Sequence, residues 1–419
     1  MVSGHSELVV SLDIGTSKVR IIIGEINNGA INIIGVGQAH SEGIKKGAIV
    51  DIDQTVHAIR EAVEHAERMV GVSIHEVFVG ITGNHIELHE THGVVAVSSD
   101  DREIREDDIL RVIQAAKVVA IPPDREIIEV VPKEYIVDGQ GSIKDPRGMI
   151  GVRLEMEGTI VSGSKTVVHN IVRCVEKASL RVAGIFLQPL AASSVALSKD
   201  DKNMGVALVD IGAGSTTIGV FEQGQLVETT VIGIGGDHIT NDIALGLRTN
   251  TEAAERTKTK HGCALIDDAS DDVKFKVTRI GSEVEKQFTQ VDLATIIEPR
   301  AAEIFQIVED TIYKLGFGDE LAGGLVLTGG SVSMPGMLEL AKEELDMPVR
   351  VAIPDYIGVR DPAYTTGVGL IQYALLRMER KPVKVGSTAK SAPKPSPVKQ
   401  AKDGPGLIDK VKNWFSEFI

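Results

Sequence analysis

The chain opens with apolar and polar residues in strand rhythm. ELVVSLDIGTSKVRIIIGEI reads as strand, glycine-containing turn, strand, and a third apolar stretch follows at Ala30 to Val36. That is a three-stranded meander. Val56, Ile59, Val63, Ala66 and Val70 then fall at helical spacing, and a strand follows at Glu76 to Thr82. The segment from about Asn84 to Ser164 has a different texture. It is richer in His, Pro and charge, with short strands around one helix over Asp107 to Val119, and Ser99-Asp100-Asp101-Arg102-Glu103 should cap that helix. Helix rhythm returns at Val167 to Ser179, then a strand at Val182 to Leu187, then a helix starting near Pro189.

The opening pattern recurs at MGVALVDIGAGSTTIGVFE, where Asp210-Ile211-Gly212 repeats Asp13-Ile14-Gly15 at an offset of 197 residues. A duplicated hairpin implies two related domains. Each alternates strands and helices, so the fold class is α/β, with two duplicated sheet-helix cores and an inserted α+β subdomain. The expected division is 1–84 with 165–195 as the first core and 85–164 as the insertion. The second core is 196–230 with 299–380, and 231–298 is a smaller subdomain. Residues 381–405, STAKSAPKPSPVKQ among them, have too little apolar content to build a core and read as a disordered linker.

The last fourteen residues are patterned again. Leu407, Ile408, Val411, Trp414, Phe415, Phe418 and Ile419 share one side of a helical wheel, with polar and charged residues on the other. Fourteen residues are too few to span a bilayer but enough to lie in its interface, which Trp favours.

Charge sharpens this division. The 419 residues carry a net −15, yet from Lys381 onward eight Lys face three acids, so the body holds −20 and the tail +5. An acidic body with 4% aromatics argues against nucleic acid, while the basic stretch from Lys381 onward suits an anionic surface. Only Cys174 and Cys263 occur, which makes neither a disulfide framework nor a CxxC site, and fits a reducing compartment. The N-terminus has no signal-peptide pattern, and no run reaches the roughly 18 apolar residues of a spanning helix.

The two glycine turns carry the chemistry. A sharp turn after Asp-x-Gly aims backbone N–H groups at one point, which suits a phosphate oxygen. Gly15, Thr16, Ser17 and Lys18 in the first turn, and Gly212, Gly214, Ser215 and Thr216 in the second, supply glycines, hydroxyls and one positive charge. Asp13 and Asp210 at the strand ends suit a hydrated Mg²⁺, which takes few carboxylates. A third site, AGGLVLTGGSVSMPGM, ends a buried strand at Gly329-Gly330, with Ser331 and Met334 following and a helix from Pro335. In a fourth, Gly235-Gly236 precedes a helix, and the next helix carries Glu255 and Lys258 one turn apart. Neither GxxxxGK[ST] nor a helix-opening GxGxxG is present, which excludes the P-loop and Rossmann patterns. His85, His89 and His92 lie close together without strong metal-ligand spacing.

In this order, DIGTSK, DIGAGST, LTGGSVSMPG, the Glu255–Lys258 pair and LQPLAAS resemble the actin, Hsp70 and sugar-kinase superfamily. Within it the chain most resembles the FtsA family of bacterial cell-division proteins, by the place of the insertion, by GGDHITNDIA, and by the linker with its terminal helix. The resemblance implies an ATP-binding, polymerising adaptor that holds the tubulin-like FtsZ ring on the cytoplasmic face of the inner membrane at the division site. It also implies that the insertion binds later division proteins, that 231–298 carries the FtsZ surface, and that Glu255 and Lys258 flank adenine. Gln188 falls where the superfamily places a Gln or Glu beside the attacking water. A carboxamide orients water but accepts no proton, so slow turnover at best is expected. The alternatives are a small-molecule kinase of the same fold and a pilus-assembly adaptor.

Overall fold

The computed structural model describes residues 7–45, 47–281, 284–318 and 320–379. The expected linker 381–405 and the tail residues Leu407, Ile408, Val411, Trp414, Phe415, Phe418 and Ile419 lie outside the described residues.

The meander forms as β1 (Glu7–Ile14), β2 (Lys18–Asn27) and β3 (Ala30–His40). Helix α1 (Ile52–Val70) starts at Asp51, whose side chain accepts from the Gln54 N–H, and stops at Gly71 in the left-handed region. Its buried stripe includes Val56, Ile59, Ala62, Val63 and Ala66. It packs so closely on β3 that a Cβ at Gly37 would sit 1.9 Å from the Ala62 carbonyl oxygen. Strand β4 (Glu76–Ile81) then pairs parallel to β1.

The chain next makes the inserted layer: β5 (Glu87–Ala96), α2 (Glu106–Ala116), β6 (Arg125–Val137), β7 (Gln140–Ile143) and β8 (Arg153–Ser164). Its sheet runs β5-β8-β6-β7 and is antiparallel throughout. Contrary to the expectation above, the 99–103 run does not cap α2, whose N-cap position is Arg105. Asp108 within the helix accepts from the Arg105 and Ser98 N–H groups, and Asp101 pairs with Arg105. A carboxylate one turn inside the helix reaches back better than residues that precede it in a bend.

Helix α3 (Lys165–Lys177), β9 (Arg181–Leu187) and α4 (Gln188–Ala196) return to the first sheet, whose order is β9-β4-β1-β2-β3. The second sheet repeats it. Strands β10 (Val206–Ile211), β11 (Thr216–Glu222) and β12 (Gln225–Ile232) form the antiparallel meander. Helices α5 (Gly236–Leu247) and α6 (Thr251–His261) and the hairpin of β13 (Lys274–Thr278) with β14 (Glu285–Thr289) follow, then the long α7 (Gln290–Lys314). Strand β15 (Leu325–Thr328), α8 (Met337–Glu344) and β16 (Val349–Val351) complete the order β12-β11-β10-β15-β16. In both sheets a three-stranded meander continues into two parallel strands.

The expected division assigned 299–380 to the second core. The last described helix, α9 (Thr365–Glu379), instead lies on the first sheet, where Val368, Ile371 and Ala374 are buried with Val9 and Ile22. Its start stays beside β10, and Gly369 allows it to touch α4, since a Cβ there would lie 2.4 Å from the Ala191 carbonyl oxygen.

Candidate functional site

The two Asp-x-Gly turns have the same local geometry. The Gly15 N–H donates to the Lys18 carbonyl at 3.1 Å, and the Gly212 N–H donates to the Ser215 carbonyl at 3.0 Å. Both turns line one cavity of about 310 Å³. It takes in Gly15, Thr16, Ser17 and Lys18 from the first turn and Gly212 and Ser215 from the second. Of the other expected residues, Gly236, Glu255, Lys258, Gly329, Gly330, Ser331, Met334, Gln188, Asp13 and Asp210 also stand on its walls.

Three expected residues, Gly214, Thr216 and Gly235, do not line the cavity. Thr216 is fully buried and its hydroxyl donates to the Ile234 carbonyl at 2.8 Å. Strand alternation sends it away while its neighbours Ser215 and Thr217 face in. Gly235 serves close packing behind the second turn, where a Cβ would lie 2.5 Å from the Gly212 carbonyl oxygen.

The third glycine site is built against the second turn. Gly329 has φ 96°, and a Cβ on it would come within 2.4 Å of Asp210 Oδ1, so only glycine fits. Ser331 Oγ donates to the Gly212 carbonyl at 2.9 Å. A single 3-10 turn, Gly330–Ser333, intervenes before α8, so the expected helix begins at Met337 rather than Pro335. On the fourth site, Lys258 Nζ donates to the Gly236 carbonyl at 3.0 Å and to Thr240 Oγ1 at 2.7 Å, and pairs with Glu255 Oε2 at 2.6 Å. Burial raises the Glu255 pKa, but the Lys258 charge and the hydrogen bonds from Lys258, Thr240 and Thr259 outweigh it and hold the carboxyl below its usual value. This pair is fixed to the glycine turn rather than being a free surface ion pair.

At the cavity floor, burial pushes the Asp13 carboxyl up to about 6, with Arg20 pulling it down and Asp210 pushing it further up. Burial raises Asp210 as well, against a hydrogen bond from Thr366 and the charge of Arg20. Gln188 Nε2 donates to Asp13 Oδ1 at 3.2 Å, and Thr366 Oγ1 donates to Asp210 Oδ2 at 2.9 Å. Two buried carboxylates that interact this way favour a cation between or beside them. Hydroxyls, backbone N–H groups and Lys18 lie around them, so the donor set fits a polyphosphate with a hydrated divalent ion.

Arg20, Thr217 and Thr366 were missed from sequence. Arg20 and Thr217 stand directly across from Asp13 and Asp210 in their hairpins, so antiparallel register would have found them. Thr366 arrives from the start of α9, more than 150 residues away, and has no local signal.

The histidines do not cluster. His92 Nε2 meets Glu155 Oε2 at 2.9 Å, His89 Nε2 meets Ser162 Oγ at 3.1 Å, and His85 Nδ1 accepts from the Ser164 N–H at 3.3 Å. Among the described residues no group of three or more His, Cys, Asp or Glu could hold a metal ion.

The family model "Cell division protein FtsA" matches residues 207–369, and that of the "SHS2 domain inserted in FTSA" matches residues 83–162. Cell division protein FtsA of Bacillus subtilis is 54% identical over 382 residues, covering 91% of this chain and 87% of that one. The chain belongs to the FtsA family. FtsA relatives are cell-division proteins, and the inserted layer matches the family's own insertion. Solved structures of low sequence identity share the fold of this FtsA-family chain. A PilM–PilN type IV pilus biogenesis complex aligns with TM-score 0.59 at 13% identity, covering 88% of this chain and 98% of that one. MreB5 of Spiroplasma citri bound to ADP aligns with TM-score 0.54 at 13% identity, covering 89% and 98%. The fold is therefore actin-like, as expected. The pilus likeness is one of fold alone, while the sequence likeness lies with FtsA.

Proposed function

We propose that this FtsA-family chain binds ATP with Mg²⁺ between its two glycine turns, polymerises, and tethers FtsZ to the cytoplasmic face of the inner membrane through residues 406–419. The observation that carries the nucleotide reading is the pair of identical turns facing one cavity, each with an Asp at its strand end. Gly15, Thr16, Ser17, Lys18, Gly212 and Ser215 would hold the phosphates. Asp13 and Asp210 would hold Mg²⁺ through its waters. Gly236, Glu255, Lys258, Gly329, Gly330, Ser331 and Met334 would bound the adenosine end. The bound cation offsets the charge that the triphosphate brings to two buried acids. Gln188 sits beside Asp13, where its amide would orient a water; it accepts no proton, and hydrolysis is slow or absent.

Self-assembly and partnership with other division proteins are in keeping with the family and with the MreB5 fold. We assign later division proteins to the inserted layer and FtsZ to the smaller subdomain, 231–298. Among the described residues no helix is long and apolar enough to cross a membrane. Attachment would rest on the apolar face of residues 406–419, whose own charges cancel, aided by the net +5 of residues 381–405. One such helix is a weak anchor, and a polymer multiplies it. The test mixes the full chain, and a chain ending at Pro405, with anionic vesicles and FtsZ, and sediments each with and without ATP. Lipid-bound FtsZ with the full chain alone supports the reading; equal sedimentation of the two chains contradicts it.

A further inference from the structure

The repeated hairpin differs between its two copies at one telling position. Asp13 pairs across the strands with Arg20, while Asp210, its counterpart 197 residues on, pairs with the neutral Thr217. The first copy thus carries a cation where the second carries a hydroxyl. Arg20 Nη1 lies 3.8 Å from Asp13 Oδ2, and its side chain is 17% exposed. Its charge reaches Asp210 as well as Asp13. The guanidinium rests over the Tyr364 ring at 5.7 Å from the centroid, and its Nη2 lies 3.9 Å from where a Cβ on Gly330 would stand. Its Nε is buried without a hydrogen-bond partner among the described residues.

An arginine held this way is not saturated. Its contact with Asp13 is longer than a hydrogen bond, and its buried Nε has no hydrogen-bond partner among the described residues. Its charge, however, is permanent. We propose that Arg20 is a tethered cation that shares Asp13 and Asp210 with the divalent ion and so reduces the site's dependence on that ion for nucleotide binding. Without metal, Arg20 offsets the two carboxylates and lets a polyphosphate approach. With metal, it competes for the same oxygens and tempers the metal's affinity. Both effects compress the difference between metal-bound and metal-free binding. Arg20 is a positioning residue in this account, acting through the carboxylates. The inference rests on the nucleotide-and-cation reading above.

The test titrates ATP into the full chain in excess MgCl₂ and in excess chelator, for the unaltered protein and for Arg20→Gln, Arg20→Met and Arg20→Lys. The expected result is that the ratio of metal-free to metal-bound Kd rises about tenfold in Arg20→Gln and Arg20→Met, the scale of one partly screened charge pair. In Arg20→Lys it stays near its original value. An unchanged ratio in the two neutral variants overturns the proposal, as does an equal loss of affinity in both conditions, which would make Arg20 part of the pocket's frame. If the unaltered chain binds no ATP in either condition, the nucleotide reading itself fails and takes this one with it. Melting curves in chelator establish that each variant is folded. Should Arg20→Gln unfold, Arg20→Met, which keeps the apolar stem against Tyr364, carries the comparison.

Discussion

The side-chain amide of Gln188 donates to Asp13 Oδ1 across 3.2 Å, joining the first residue of α4 to the end of β1. The contact fixes which end of the carboxamide faces the carboxylate, leaving its oxygen to accept from a water in the cavity. Replacing Gln188 with Ala should leave ATP affinity within about threefold while lowering any phosphate release roughly tenfold or more, because only the orientation of water is lost. Parallel binding and phosphate-release assays check this. An equal fall in affinity and turnover would make Gln188 a binding residue.

Asp13 sets a pH dependence whose sign follows from its burial. Its folded pKa of about 6 exceeds the ordinary 3.8, so between those values the folded chain binds more protons than the unfolded one. Metal-free stability should therefore fall as pH rises through that window. Asp13→Asn should weaken that dependence, leaving the part that comes from Asp210, whose carboxyl burial also raises, and stabilise the metal-free chain at pH 7 by about 1–3 kcal/mol. Urea unfolding in chelator at pH 5 and pH 7 measures both. The same substitution should weaken Mg²⁺-dependent ATP binding, so stability and binding move in opposite directions.

Glu129 ties three elements together. It accepts from Arg377 Nη2 and Tyr373 OH of α9, both at 2.9 Å, and from the Leu187 N–H at 3.3 Å. The Glu129 side chain is 9% exposed, so removing Arg377 strands a nearly buried carboxylate. Arg377→Ala should cost about 2–3 kcal/mol, and adding Glu129→Gln should recover part of that loss. Chemical unfolding of the single and double variants reads the coupling.

Much of this was legible in the sequence because local chemistry forced it. Asp-x-Gly repeated at an offset of 197 foretold two sheets with matching turns, and the Gly15–Lys18 and Gly212–Ser215 bonds bear that out. The apolar spacing of α1 foretold its buried stripe. What was misread depended on pleat phase and on distant chain. Ser215, Thr216 and Thr217 are alike as donors, and only the start of β11 decides that the middle one turns inward to Ile234. Helix α9 follows the second sheet in sequence, but its Val368 and Ile371 find their partners at Val9 and Ile22, more than 300 residues earlier. Thr366 reaches Asp210 by that same long return.

The central claim is that ATP sits between the two turns, and Gly329 offers the most direct test. Its φ of 96° and its closeness to Asp210 leave no room for a methyl group at the cavity wall. Calorimetric titration of ATP with MgCl₂ into the full chain and into Gly329→Ala should give one saturable site in the first and at least about tenfold weaker binding in the second. Absence of binding to the unaltered chain, or equal binding to a folded Gly329→Ala, would contradict the account.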